Sequence, residues 1–217
     1  MHTTVTPPIA ARTASRPIDR TWSRWGGTGI ALGGALLLAA TVVEVTLWDD
    51  ASGALLPLFT LLFLASTAVH ALAMLPLALG STGADGITGT RMVGKAALLG
   101  FGAVFLLNQT LYFVTTYGSP DGVDLSLIGW LPLTLAAAQL VLLLTASIAV
   151  VRAGVATGAA RWALLALTVV AAIVGAVAGA SGDVAVVTVA LMSSCVTQIV
   201  VGLVFVGARP ATSGGTV

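Results

Sequence analysis

RTWSRWGGTGIALGGALLLAATVVEVTLWDD, residues 20–50, decides how the whole chain is read. Two arginines, Arg20 and Arg24, precede an apolar run of about 20 residues, and two aspartates, Asp49 and Asp50, close it. A helix rising about 1.5 Å per residue needs that length to cross ~30 Å of hydrocarbon. The stretch is therefore a spanning helix with a basic end and an acidic end.

Five more segments follow the same rule, so the runs lie at 27–48, 55–79, 92–117, 127–151, 162–180 and 184–206. All nine Lys and Arg fall on one side of this map. Arg12, Arg16, Arg20 and Arg24 precede the first run. Arg91 and Lys95 stand between the second and third, Arg152 and Arg161 between the fourth and fifth, and Arg209 after the sixth. The alternate loops carry only Asp49, Asp50, Asp121, Asp124 and Asp183. Such asymmetry orients membrane proteins with the basic loops inside. The fold class expected is an all-α polytopic bundle of six transmembrane helices with both termini cytoplasmic.

Composition agrees. The chain is 58% apolar and 8% charged, with a mean hydropathy of +1.06, against roughly 25% charged in soluble domains. The runs are continuously apolar, which disfavours a β-barrel with its alternating strands. They leave no stretch of these residues for a soluble nucleotide-binding, kinase or DNA-binding module, and a net charge of +1 gives no reason to expect a nucleic-acid partner. Eight Arg to one Lys, with abundant Ala, Val and Gly, points to a high-GC bacterium and its cytoplasmic (inner) membrane. The first run is longer than the roughly 7–15 apolar residues of a signal peptide, and no small-x-small cleavage site precedes Trp48. It is read as a retained helix.

Three regions follow. Residues 1–25 form a basic cytoplasmic tail, disordered because Pro7, Pro8 and Pro17 interrupt a stretch without periodicity. Residues 26–207 form the six-helix domain, and 208–217 a short flexible tail. Trp22, Arg24 and Trp25 suit an anchor at the headgroups; a tail of four arginines can alternatively bind a partner. The loop GSTGADGITGTR is rich in glycine but has neither dinucleotide nor P-loop spacing, and is read as a flexible connector. Pro57 and Pro132 each open an even-numbered helix, where proline loses no hydrogen bond. This hints at a duplication that the following residues support poorly.

Function has to be sought among polar residues at membrane depth, where ionisable groups are costly. There are two, Glu44 and His70. Glu44 lies ~6 Å inside the acidic boundary and His70 ~22 Å, so ~16 Å separates them along the normal and they cannot pair directly. Around Glu44, depth gathers Tyr112 with Asn108 and Gln109 a turn deeper. Gly29, Gly33, Ala40 and Glu44 share a face of the first helix, and small residues there allow close helix approach. Around His70, depth gathers Ser66, Met74, Ser194 and Gln198. Pro76 frees the Leu72 carbonyl nearby and favours a kink, and Gln139 lies between the layers. Each polar side chain has a bland reading as an interhelical hydrogen bond. Glu44 is the strongest functional candidate, because a proton-coupled site needs a titratable group at depth.

Several chemistries lack their residues. A bis-histidine haem needs a second histidine at matched depth, and His2 is in the tail. Lone Cys195 offers no disulfide exchange or Cys-rich metal site. Ser66 beside His70 has no nucleophile turn, and Lys95 is too near the helix end for a retinal Schiff base. No cofactor and no metal is implied. Gly175 and Gly179, with Ala171, form a stripe on the fifth helix suited to packing or dimerisation. The function expected is a non-catalytic membrane subunit that binds or supports a partner, with the lipid bilayer and a membrane protein or second copy as partners. The alternative is a small secondary transporter or channel using Glu44 and His70; an intramembrane enzyme ranks last.

Overall fold

A computed structural model describes residues 21–48, 52–81, 83, 86–118 and 129–208. Arg12, Arg16, Arg20, Asp49, Asp50, Asp121, Asp124 and Arg209, together with most of both tails, lie outside the described residues. A π-helical turn, Trp22–Gly26, leads into α1 (Gly27–Leu47), followed by α2 (Leu56–Leu79), α3 (Met92–Tyr117), α4 (Leu131–Ala153), α5 (Ala159–Ala180) and α6 (Val184–Val206). All six are long and apolar enough to cross a membrane, and no strand is present among the described residues. Helices satisfy every backbone donor within the segment, which hydrocarbon demands.

The local rules hold at the ends. Pro57 and Pro132 occupy the first helical turn of α2 and α4. Gly154, at φ 67°, ends α4 in the left-handed conformation that lacks a steric cost only for glycine. At the opposite end of the bundle Asp183 caps α6, its Oδ1 accepting from the Ala185 amide at 2.8 Å. The first helix begins earlier than the sequence reading, because Trp22–Gly26 continue directly into α1.

Each helix packs on its chain neighbours and α6 returns to α1, which closes a ring. No other pair of these helices comes into backbone contact among the described residues. The tightest crossings belong to α1, which uses two faces. A Cβ at Gly29 would lie 2.6 Å from the Ala73 Cβ, and one at Gly33 would lie 2.6 Å from His70 Nδ1, so Gly29 and Gly33 do press α1 onto α2. A Cβ at Gly27 would lie 2.8 Å from the Gly202 carbonyl, and one at Gly202 would lie 2.4 Å from the Ala31 amide. That second crossing, against α6, is absent from the sequence reading.

Three sequence expectations need correction. Gly175 and Gly179 do not pack on a neighbouring helix, since a Cβ at either meets nothing within 4 Å; their half of α5 has no helix close enough to touch them. The Trp22 ring does not face lipid but is 2% exposed, edge-on to Phe205 at 6.2 Å; Trp25, 71% exposed, keeps the orientation that an anchor needs. The glycine-rich connector is not loose over its described part. Ile87 and Thr88 are fully buried, and the Ile87 amide donates to the Leu77 carbonyl at 2.8 Å. This satisfies one of the carbonyls left open at the end of α2. The chain turns in so close that a Cβ at Gly86 would sit 2.2 Å from the Ala78 carbonyl oxygen.

The basic residues do more than set a charge balance. Arg91 donates to the Arg152 carbonyl at 3.3 Å and Arg161 to the Val151 carbonyl at 3.0 Å. Both cap the carbonyl end of α4, where a cation opposes the partial negative charge of the helix terminus. Lys95 is buried and donates from Nζ to the Gly83 carbonyl, tying the connector to α3.

Candidate functional site

The layer near the acidic end is built on Glu44. The close α1–α2 crossing carries Glu44 over the inner face of α2, whose Phe59 and Phe63 are buried with Ala40 beneath it. From α3, the Tyr112 hydroxyl and the Tyr117 hydroxyl both donate to Glu44 Oε1, the second at 2.7 Å. A phenol has one hydrogen to give, and both hydrogens are directed to one carboxylate oxygen. Aromatic rings enclose the pair: Tyr117 lies 4.8 Å from Phe59, Tyr112 lies 5.8 Å from Phe63, and Phe113 stacks on Phe63 at 6.1 Å. The Trp48 side chain also interacts with the Tyr117 hydroxyl. Among the described residues no cation pairs with Glu44.

Tyr112 is therefore the donor that depth suggested. Asn108 and Gln109 do not reach the carboxylate. They line, with Leu111, Tyr112, Thr115, Pro132 and Ala136, a cavity of about 310 Å³ between α3 and α4. Tyr117 is the residue that sequence reasoning missed. Five helical positions rotate it ~140° from Tyr112, so a search for residues sharing one face passes over it. Its place at the last turn, level with Trp48 and Glu44, was the available signal, because a phenol at a helix end can lean across it.

The deeper layer is built on His70, 6% exposed. Its Nδ1 lies 3.1 Å from the Ser66 carbonyl oxygen, and Ser66 donates its hydroxyl to the Gly33 carbonyl at 2.8 Å. A carbonyl only accepts, so Nδ1 carries the hydrogen and, in the neutral ring, Nε2 presents a lone pair. Nε2 and Gln198 Oε1 are both buried without a hydrogen bond, yet the two side chains interact. Two acceptors facing one another is the wrong pairing. Turning the Gln198 amide by 180° places its NH2 against Nε2 and removes the conflict. Phe105 covers the ring at 5.3 Å, and Met74 is packed against Gly102. Gln139 donates to the Val104 carbonyl at 3.3 Å, bridging α4 to α3. Ser194 forms no hydrogen bond with this group among the described residues.

The two layers share no hydrogen bond among the described residues, so depth separated them correctly. One is a dry, locally paired histidine. The other is a carboxylate held by two phenols beside a cavity. No family model, curated protein or solved structure matches this chain, and chemistry has to be argued from these groups alone.

Proposed function

We propose that this chain is a non-catalytic subunit of a bacterial cytoplasmic membrane, with both termini inside, that binds or supports a membrane partner. The observation that carries this is that Glu44, Gln139 and His70 each find a partner within the bundle. Glu44 is met by Tyr112 and Tyr117, Gln139 by a backbone carbonyl, and His70 by Ser66. A supporting protein needs such groups bonded and dry, whereas a carrier needs them on a solvated path reached from each side in turn. The orientation rests on the one-sided distribution of Lys and Arg. Reporter fusions after Arg209 and at Asp121 are expected to sit in the cytoplasm and outside, respectively; both on one side would remove the six-span topology.

A small carrier is the second reading, favoured by the cavity that Asn108, Gln109 and Tyr112 line beside Glu44. Glu44→Gln separates the two. It keeps the shape and an accepting carbonyl, so a supporting subunit retains its fold and its phenotype. Proton or solute flux in reconstituted vesicles that disappears with Glu44→Gln, at normal expression, would establish the carrier instead.

A further inference from the structure

The carbonyl end of α4 gathers more positive charge than a helix terminus can use. Arg91 reaches the Arg152 carbonyl and Arg161 the Val151 carbonyl. Successive carbonyl oxygens of a helix stand about 3.5 Å apart, which holds the two donor nitrogens within about 10 Å of each other. Arg152 projects from the same turn, and its side chain makes no hydrogen bond among the described residues. The three come from the ends of α3, α4 and α5, and all are exposed. A helix terminus answers only about half of one charge. No carboxylate pairs with them among the described residues; Asp19 and Asp85 lie outside these. Arg161 also stands in the first turn of α5, the positive end of that helix, where a cation is disfavoured and an anion favoured. The frame is fixed. Gly154 and Gly158, both at positive φ, turn α5 back beside α4. Ala156 between them is buried, and a Cβ at Gly89 would meet Val155 at 3.4 Å.

We infer that Arg91, Arg152 and Arg161 hold the phosphate ester of an anionic phospholipid at the basic boundary of the membrane. Each capping bond uses one hydrogen, and a guanidinium has five. Arg91 and Arg161 therefore keep four each and Arg152 all five, arranged in forks that suit the oxygens of a phosphate. A phosphate bridging two guanidinium groups spans about 8 Å between donor nitrogens, which the separation here allows. The surroundings select a lipid over a free anion. Met92 and Val93 follow Arg91 and are 76% and 70% exposed, and Trp162 follows Arg161 and is 54% exposed. The Arg161 guanidinium lies 5.9 Å from the Trp162 ring centroid. A tryptophan so placed belongs to the headgroup level, and its apolar neighbours suit acyl chains rather than water. Basic pockets between membrane helices take anionic headgroups by this chemistry. Lys95 has no part in the site, since it is buried and donates to the Gly83 carbonyl. The inference needs the six-span topology but not the partner-binding reading.

Native mass spectrometry tests this on the full chain, released from maltoside micelles that hold equal phosphatidylglycerol and phosphatidylcholine with identical acyl chains. Retention of phosphatidylglycerol at least about tenfold above phosphatidylcholine is expected. Arg152→Gln breaks no hydrogen bond among the described residues and is expected to weaken that retention about fivefold. Arg161→Gln is expected to do the same while also removing one cap of α4. Should either variant fail to fold, the other carries the comparison. Arg24 is the control, exposed at the same end but in a turn that contacts only α1, α2 and α6. Arg24→Gln is expected to keep the lipid preference within about twofold. Equal weakening by Arg24→Gln and Arg152→Gln would overturn the inference, because diffuse surface charge would then account for the attraction. Equal retention of the two lipids would also overturn it, as would complete displacement of phosphatidylglycerol by millimolar inorganic phosphate, which would make the ligand a free anion. Reporter fusions read the topology separately, so a failed six-span arrangement and a missing lipid site are distinct results.

Discussion

The basic half and the acidic half of this bundle are built differently. At the basic end, side chains from the helices and from a loop close on one another. Trp22, Leu77, Ile87, Leu98, Val150 and Phe205 are all buried to 2% exposure or less. At the acidic end the buried cluster is smaller, Ala40, Phe59 and Phe63 with partly buried neighbours, beside the separately buried Thr41 and Leu135, and Leu133, Ile173, Val184 and Val189 are exposed. Lipid tails are as apolar as leucine, so exposure of these residues to a membrane carries no hydrophobic penalty. What remains to hold helices together is van der Waals contact and hydrogen bonding. The basic half obtains the first through glycine, alanine and an inserted loop. The acidic half obtains the second through Glu44 and its two phenols, and leaves room for a cavity. Tight packing and the Glu44 hydrogen-bond layer thus lie at opposite ends.

The largest effect is expected where α1 and α6 cross. In Gly202→Leu the new Cβ would stand 2.4 Å from the Ala31 amide nitrogen and 2.6 Å from the Gly27 carbonyl oxygen. Both obstacles are backbone and cannot rotate away, so the helices have to separate and lose contact along the crossing. A loss of about 3 kcal/mol or more is expected, seen as a fall in the unfolding midpoint in detergent or as failure to fold. Wild-type stability would break the comparison, because the tightest packing would then lie elsewhere.

A smaller loss belongs to the inserted loop. Ile87→Ala removes a fully buried side chain and leaves a void beneath Leu77, at a cost of about 2 kcal/mol. Hydrogen exchange sharpens the test. The Ile87 amide, bonded to the Leu77 carbonyl, is expected to lose protection in the variant while amides at the acidic end of α3 are unchanged. Uniform deprotection of both ends would show the two halves to be one cooperative unit.

The helices were legible because length and hydropathy are one-dimensional. Runs at 92–117 and 184–206 coincide with α3 and α6. The layers were legible too, since depth along a helix follows from residue count, and it brought Glu44 to Tyr112 and His70 to Gln198. Azimuth was not legible. Gly29 and Gly33 were placed on a packing face because they share it with Glu44, but Gly27 and Gly34 mark a second face whose partner, Gly202, depends on ring closure by a distant helix. The buried connector escaped for a related reason. Its glycines signal turning, and turning inward under Ala78 depends on the shape of the bundle end rather than on local composition.

The smallest effect tests the loose half directly. Gly175→Leu and Gly179→Leu place large side chains where a Cβ meets nothing within 4 Å. Their stripe of small residues suggests a close crossing, and leucine there would then act as Gly202→Leu does. In the ring as it stands, α5 turns this face away from its neighbours. Leucine also has a higher helix propensity than glycine by roughly 0.8 kcal/mol, which offsets any minor adjustment. Both variants are therefore expected to unfold within about 0.5 kcal/mol of the wild type. A marked drop in either, together with a change of oligomeric mass in detergent, would mean that a second copy covers this face, and the acidic half would then be packed from outside the chain.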